Sequence, residues 1–184
     1  MLFKGYRIES TRLPWWDYGW TAEYFITICT LDRKRYFGEI QDGKMVKTEL
    51  WHIAKKYWQE IPEHFPFVTV LDFIIMPDHI HGLLRIEDRR PQSVETHHGA
   101  VGSVETHHDA SQRPHNTFGP QKNNIPSIIR HFKGAVTRYS KKHTLPFGWQ
   151  SLYFDQIIRD DNHFYNVQNY IRTNIEQYQE DTIT

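Results

Sequence analysis

The sequence predicts an α+β fold organised on a central antiparallel sheet. Two apolar runs between residues 68 and 86 flank Met76-Pro77-Asp78. That tripeptide is a tight connection between neighbouring strands, because Pro fixes φ and Asp favours turns. Helical periodicities at about 48–63 and 126–142 separate this pair from strands at 23–31 and 152–159. At 184 residues the chain is long enough to bury a real core as one domain, 1–184.

Residues 1 to 22 hold Pro14, Trp15, Trp16, Asp17, Tyr18, Gly19 and Trp20, a packed but irregular arm. Its aromatics cover a core edge or stack bases. Residues 23 to 31 have strong β-propensity, and Asp32-Arg33-Lys34-Arg35 follows as a basic turn. Tyr36–Ile40 and Lys44–Lys47 form a short hairpin around Asp42-Gly43. Thr48 then caps a helix to about Glu63 with Leu50, Ile53, Tyr57 and Ile61 as its buried stripe, ended by Pro62 and Pro66.

Residues 87–124 are polar and rich in Pro and His. Ser93-Val94-Glu95-Thr96-His97-His98 recurs as Ser103-Val104-Glu105-Thr106-His107-His108. A duplicated low-complexity segment reads as a mobile linker, although two His-His pairs can also bind metal. In the helix after it, Ile128, Ile129, Phe132, Val136 and Tyr139 face inward, while Arg130, Lys133, Arg138 and Lys141 face largely outward. The last helix starts after Asp160-Asp161-Asn162 and runs to about Tyr178, with Phe164, Val167, Ile171, Ile175 and Tyr178 as its apolar stripe.

The composition, 39% hydrophobic and 15% aromatic, is that of a folded globule. Cys29 is the single cysteine, which excludes an internal disulfide and fits a reducing compartment. The N-terminal residues contain no apolar h-region and no run reaches membrane-spanning length, so a cytoplasmic protein with no membrane partner is expected. The net charge is zero but segregated: from Ala110 to Phe154 there are seven Lys and Arg and no acid. That stretch is either a basic surface helix or a phosphate-tracking surface.

Two elements carry chemistry. In the strand after Met76-Pro77-Asp78, His79 and His81 alternate with Ile80, so both imidazoles project from one face. They are either a partly exposed pair beside a turn or two ligands of a metal site. In the last helix, Tyr170 and Asn174 are four apart and lie one above the other. Asn is a poor helix former and wants a partner. Two neutral imidazoles and an amide oxygen would leave a divalent ion its full charge, suited to gripping a phosphate. A phenol one turn away could then be a nucleophile. Tyr165 is rotated by about 140° from Tyr170 on an ideal helix, and Tyr178 is two turns on.

The stretch Met-Pro-Asp-His-Ile-His-Gly at 76–82 resembles the His-hydrophobe-His (HUH) motif. Trp149-Gln150, the run Phe154–Asp160 and the helix around Tyr170-Ile171-Arg172-Thr173-Asn174 are similar to those of single-tyrosine HUH transposases, and most like the REP-associated tyrosine transposase branch. The resemblance spans about residues 20 to 178 apart from 87–124. It implies a ferredoxin-like sandwich, with His79, His81 and Asn174 as metal ligands and Tyr170 as the nucleophile that takes a 5′-phosphate. It further implies Mg²⁺ or Mn²⁺ as cofactor and single-stranded DNA with a hairpin as substrate. The acid-free stretch supplies the expected phosphate contacts, Arg130, Lys133, Arg138 and Lys141, and a monomer or homodimer is expected. One departure is Ile175, where many relatives carry Pro. Two other readings stay open: a metal-dependent hydrolase using an activated water, and a hairpin-DNA-binding protein that does not nick.

Overall fold

The computed structural model describes residues 16–87 and 122–180, the last four by backbone alone. The repeat at 93–108 and most of the 87–124 segment lie outside the described residues, as do Pro14, Trp15 and the side chain of Tyr178.

Strand β1 (Ala22–Cys29) leads through a short 3₁₀ turn, Leu31–Arg33, to the hairpin of β2 (Gly38–Gln41) and β3 (Lys44–Lys47). Asp42 and Gly43 both have positive φ, at 48° and 73°, as a two-residue hairpin loop with the right twist requires. Helix α1 (Glu49–Gln59) begins at Thr48, whose side chain accepts from the Trp51 backbone N–H. Its buried stripe is Leu50, Ala54 and Trp58, at intervals of four. The expected Ile53 and Tyr57 are only half-buried, so the true stripe is rotated by one position. Small Ala54 lets the large Trp58 sink fully, a preference that hydrophobicity alone does not reveal. Pro62 does not end this helix; it opens α2 (Ile61–His64), where a missing N–H costs nothing.

Strands β4 (Val68–Ile75) and β5 (His79–Ile86) follow, joined by the expected turn. Helix α3 (Ile125–Lys142) is capped by buried Asn124, which shares a reciprocal capping box with Ser127. Asn124, the last residue of the 87–124 segment, therefore belongs to the folded domain and not to the insertion. Strand β6 is shorter than expected, Phe154–Ile157, and α4 runs from Asp161 to Glu180. The Asp160 carboxylate accepts from the His163 N–H at its start. Among the described residues no helix is long and apolar enough to cross a membrane.

The four-stranded sheet has the order β4-β5-β1-β6, with every neighbouring pair antiparallel. With α1 between β1 and β4 and α3 between β5 and β6, this is the βαββαβ ferredoxin-like arrangement. Period-two alternation then sorts the side chains. Tyr24, Ile26, Ile28, Ile80, Leu84 and Ile86 enter the core under α1 and α3. Phe25 and Leu83 face the other way and are covered by Val167 and Ile171 of α4. A bulge between Val70 and Asp72 turns both Leu71 and Asp72 towards α4, where Asp72 pairs with Arg172 at 3.0 Å. The described part of the arm covers a core edge, since the Trp16 indole donates to the Tyr24 hydroxyl at 3.1 Å and Tyr18 is buried.

Candidate active site

His79 and His81 stand on the α4 face of β5, both almost fully buried, with ring centroids 4.6 Å apart. Antiparallel register puts Cys29 opposite His79 and Thr27 opposite His81. The Met76–Asp78 turn that aims the strand is clamped by the segment after β1. The Phe37 N–H donates to the Pro77 carbonyl at 3.0 Å, and the Thr30 N–H and hydroxyl both donate to the Asp78 carbonyl at 2.9 Å. Asp78 continues the clamp through its side chain: one carboxylate oxygen lies 2.6 Å from His79 Nδ1, the other 2.9 Å from Arg33 Nε. Burial pushes the Asp78 carboxyl up, but the hydrogen bond and charge of His79 with the Arg33 guanidinium outweigh it, so the group titrates below the ordinary range.

His81 is fixed in a matching way. Its Nδ1 lies 2.9 Å from Thr27 Oγ1, and its ring stacks on Phe25 at 5.3 Å. Burial, with His79 and Arg33 nearby, lowers its pKa to about 3, so the imidazole is neutral. Each histidine therefore has its δ nitrogen committed to a protein partner. The Asp78 carboxylate can only accept from His79 Nδ1–H, which turns Nε2 of that ring outward from the pair. His81 has a hydroxyl at each nitrogen, Thr27 at Nδ1 and Tyr170 at Nε2, and either can donate or accept.

Helix α4 crosses this face and brings Tyr170 to it. The Tyr170 hydroxyl is 3.2 Å from His81 Nε2, joining residues 89 apart in sequence. Its ring is 39% exposed and packs edge-on against Phe25. One turn further on, Asn174 is 5% exposed and lies on the covered face with Val167 and Ile171. Tyr165 is exposed and packs against Phe164 at the start of α4. The structure thus brings His79, His81 and Tyr170 together, with Asn174 one turn beyond Tyr170 on the covered side of α4.

This donor set fits a divalent ion. It offers two imidazoles and a buried amide, a mixed nitrogen and oxygen set of the kind Mn²⁺ accepts, whereas harder Mg²⁺ prefers the oxygen. An ion on His81 Nε2 would take the place that the Tyr170 hydroxyl occupies in this structure. Among the described residues no group of three His, Cys, Asp or Glu side chains could hold a metal ion, so a third protein ligand beside the two histidines would have to be of another type, such as the Asn174 amide.

The expected DNA-holding cations lie elsewhere. Helix α3 packs on the opposite face of the sheet, and Arg130, Arg138 and Lys141 are exposed on its outer side, away from the histidines. Lys133 is half-buried, and its ammonium donates to the carbonyls of Gln150 at 2.6 Å and Ser151 at 3.3 Å. It holds the loop before β6, which the Gln150 N–H ties to the Cys29 carbonyl at the end of β1. The cation adjoining the histidines is Arg33, which also donates to Cys29 Sγ at 2.9 Å. Sequence reasoning read Asp78 only as a turn former and missed Thr27 and Arg33. Asp78 had a signal, an acid directly before the first histidine. Thr27 and Arg33 had none until the register was known.

No family model matches the chain. An uncharacterized protein of Haemophilus influenzae strain Rd is 32% identical over 179 residues, covering 95% of this chain and 92% of that one. The solved structure of a REP-associated tyrosine transposase bound to a REP hairpin aligns with a TM-score of 0.58 at 12% identity, over 93% of this chain and 74% of its own. The chain belongs to one family with the Haemophilus influenzae protein, and its fold is that of the REP-associated tyrosine transposase.

Proposed function

We propose that the protein nicks and rejoins hairpin-flanked single-stranded DNA through a covalent link to Tyr170, in the manner of a single-tyrosine HUH transposase. The observation that carries this reading is the 3.2 Å contact between the Tyr170 hydroxyl and His81 Nε2. A phenol is delivered by a separate helix to the histidine pair, on a face where its ring stays accessible. A structural tyrosine at the edge of α4 would have no need of a buried, neutral imidazole. The likeness in fold to a transposase bound to a REP hairpin supports the choice of DNA.

In the reaction Tyr170 Oη forms a bond to phosphorus, and the bond from phosphorus to the 3′ oxygen breaks. The phenol proton is released to solvent and the departing 3′ oxygen takes one up, so the upstream strand leaves with a free 3′-hydroxyl and the 5′-phosphate stays on the tyrosine. Attack of a 3′-hydroxyl on that phosphotyrosine reverses the step and reseals a strand. His79, His81 and Asn174 would hold Mg²⁺ or Mn²⁺, which when bound supplies charge neutralisation and polarisation of the phosphate. Asp78 accepts from His79 Nδ1 and so fixes its tautomer, and Asp78 and Thr27 together fix the angles of the two imidazoles. Phe25 positions the His81 ring by stacking and the Tyr170 ring edge-on.

The test is incubation of the full chain with labelled hairpin oligonucleotides carrying single-stranded flanks, with Mn²⁺ and with chelator. A metal-dependent nick accompanied by a denaturant-stable protein–DNA adduct is expected. A nick without an adduct would indicate an activated water, and binding without a nick would indicate a DNA-binding protein that does not cleave.

A further inference from the structure

Among the described residues, the sheet face that carries the histidines is not fully covered. Helix α4 follows the Ile158 end of β6, where Ile158 and Phe164 both pack against the Phe25, Leu83, Val167 and Ile171 cluster, and then crosses β5 and β4. It leaves the other end of β6 open. Phe154 is 46% exposed there, and neighbouring Gln156 on the same face is exposed too. Their alternates, Asp155 and Ile157, point to the opposite face, with Asp155 buried and Ile157 against the α1/α3 core. Antiparallel register places Phe154 beside Thr27, and Thr27 beside His81. The row Phe154–Thr27–His81 thus runs straight across three strands, its ends about 10 Å apart at the usual strand spacing.

Scattered exposed apolar residues are ordinary. This one differs in being an aromatic ring on an open sheet face, in the same row as the histidine that meets Tyr170. Three acids near this face are paired, Asp78 with Arg33 and His79, Asp72 with Arg172, and Glu23 with Arg85, so they add little repulsion to a polyanion.

We infer that Phe154 is the stacking platform for an unpaired DNA base flanking the phosphate that reacts at Tyr170, with the Gln156 amide beside it to meet the base edge. This rests on the DNA-nicking reading above. The physics is that of single-strand binding on a sheet, where a base leaving its own stack is received by an aromatic face at little cost in sequence tolerance. Phe154 is then a positioning and specificity-determining residue, and the reacting groups remain those already described.

The experiment compares wild type, Phe154→Ala and Phe154→Trp in the full chain. The probes are a bare hairpin and the same hairpin with a single-stranded flank, the flank scanned with one abasic site at a time. Phe154→Ala is expected to weaken binding of the flanked hairpin by roughly five- to a hundredfold, the range for one stacked base, and to leave the bare hairpin unaffected. Phe154→Trp should retain tight binding. One abasic position should cost wild type a similar factor and cost Phe154→Ala almost nothing. Unchanged binding by Phe154→Ala, or abasic penalties that are additive with it at every position, overturns the inference. So does a change of oligomeric state with unchanged binding, which would mark the exposed β6 edge as a contact between copies. Adduct formation is followed in the same reactions. Loss of the adduct with an intact stacking pattern defeats the covalent mechanism and leaves the platform, whereas no binding of any DNA by wild type overturns both.

Discussion

Gly82, the residue after the histidine pair, should not tolerate even one methyl group. A Cβ built there overlaps Trp58 Cζ2 and lies 2.7 Å from Cη2 and 2.9 Å from Cε2. Trp58 is fully buried against Phe132 at 5.0 Å and Phe73 at 6.3 Å, so the indole has nowhere to retreat. Replacing Gly by Ala in a strand ordinarily gains about 0.5–1 kcal/mol of chain entropy. Overpacking of a filled core costs about 1–3 kcal/mol, and three aromatic carbons inside 3.0 Å point to the upper part of that range. The clash wins, and Gly82→Ala should destabilise by about 2 kcal/mol. In urea this moves the midpoint down by about 1 M, taking a slope of about 1–3 kcal/mol per M. Trp58→Phe removes the offending carbons and also the indole N–H, which has no hydrogen-bond partner. The pair Gly82→Ala/Trp58→Phe should therefore be more stable than the sum of its singles by about 1 kcal/mol or more. A midpoint for Gly82→Ala equal to or above wild type, or strict additivity in the double variant, would refute this packing account of the glycine.

Stability should also depend on pH through His81. Its folded pKa of about 3 lies below the ordinary 6.5, so the unfolded chain takes up the proton first. The metal-free protein keeps this contribution fully above pH 6.5 and loses it as pH falls towards 3, by up to about 5 kcal/mol at the limit (6.5 − 3 units at 1.36 kcal/mol each). Asp78, held below its ordinary range, adds a loss in the same direction. His81→Gln should flatten urea midpoints measured from pH 4 to 7, and a curve unchanged by that substitution would contradict the assignment. Single neutralisations of Arg130, Arg138 and Lys141, which lie across the sheet from Tyr170, should alter the nicking rate of bound DNA little. Where one of them does contact phosphate, the log–log salt slope of single-strand binding drops by about 0.7. Lys133→Met frees the Gln150 and Ser151 carbonyls to water and should cost about 0.5–1.5 kcal/mol in thermal unfolding without changing that slope. Replacing residues 90–122 by a short Gly/Ser linker should leave DNA cleavage within a few-fold, and complete loss would place the His-His pairs in the site.

What the sequence disclosed follows from periodicity. A period of two put His79 and His81 on one face whatever the sheet order, and four-residue spacing put Tyr170 above Asn174 on any α-helix. The turn residues Asp42-Gly43 and the cap Thr48 act locally and were legible for that reason. Long-range pairing was not. That Thr27 meets His81 is a matter of register, and that Tyr170 reaches it depends on the angle at which α4 crosses the sheet. The bulge that turns Asp72 to Arg172 depends on one extra residue in β4, which no propensity marks. The acid-free stretch was visible, but composition does not say which layer a helix joins, and α3 joins the layer opposite the histidines. Lys133 shows the same limit, since an outward-facing lysine in the helical pattern is occupied by two carbonyls of a loop 17 and 18 residues away.

The central claim is that Tyr170 Oη is the nucleophile. Tyr170→Phe removes one oxygen and its contact with His81 Nε2 while keeping the ring against Phe25. Wild type and variant should be incubated with a hairpin oligonucleotide and Mn²⁺, and the trapped complex digested and sequenced by mass spectrometry. The account predicts a 5′-phosphonucleotide on Tyr170 in the wild type. In the variant it predicts loss of both nick and adduct, with hairpin binding retained. A variant that still cuts, or an adduct mapped to Tyr165, Tyr178 or any other residue, would contradict it.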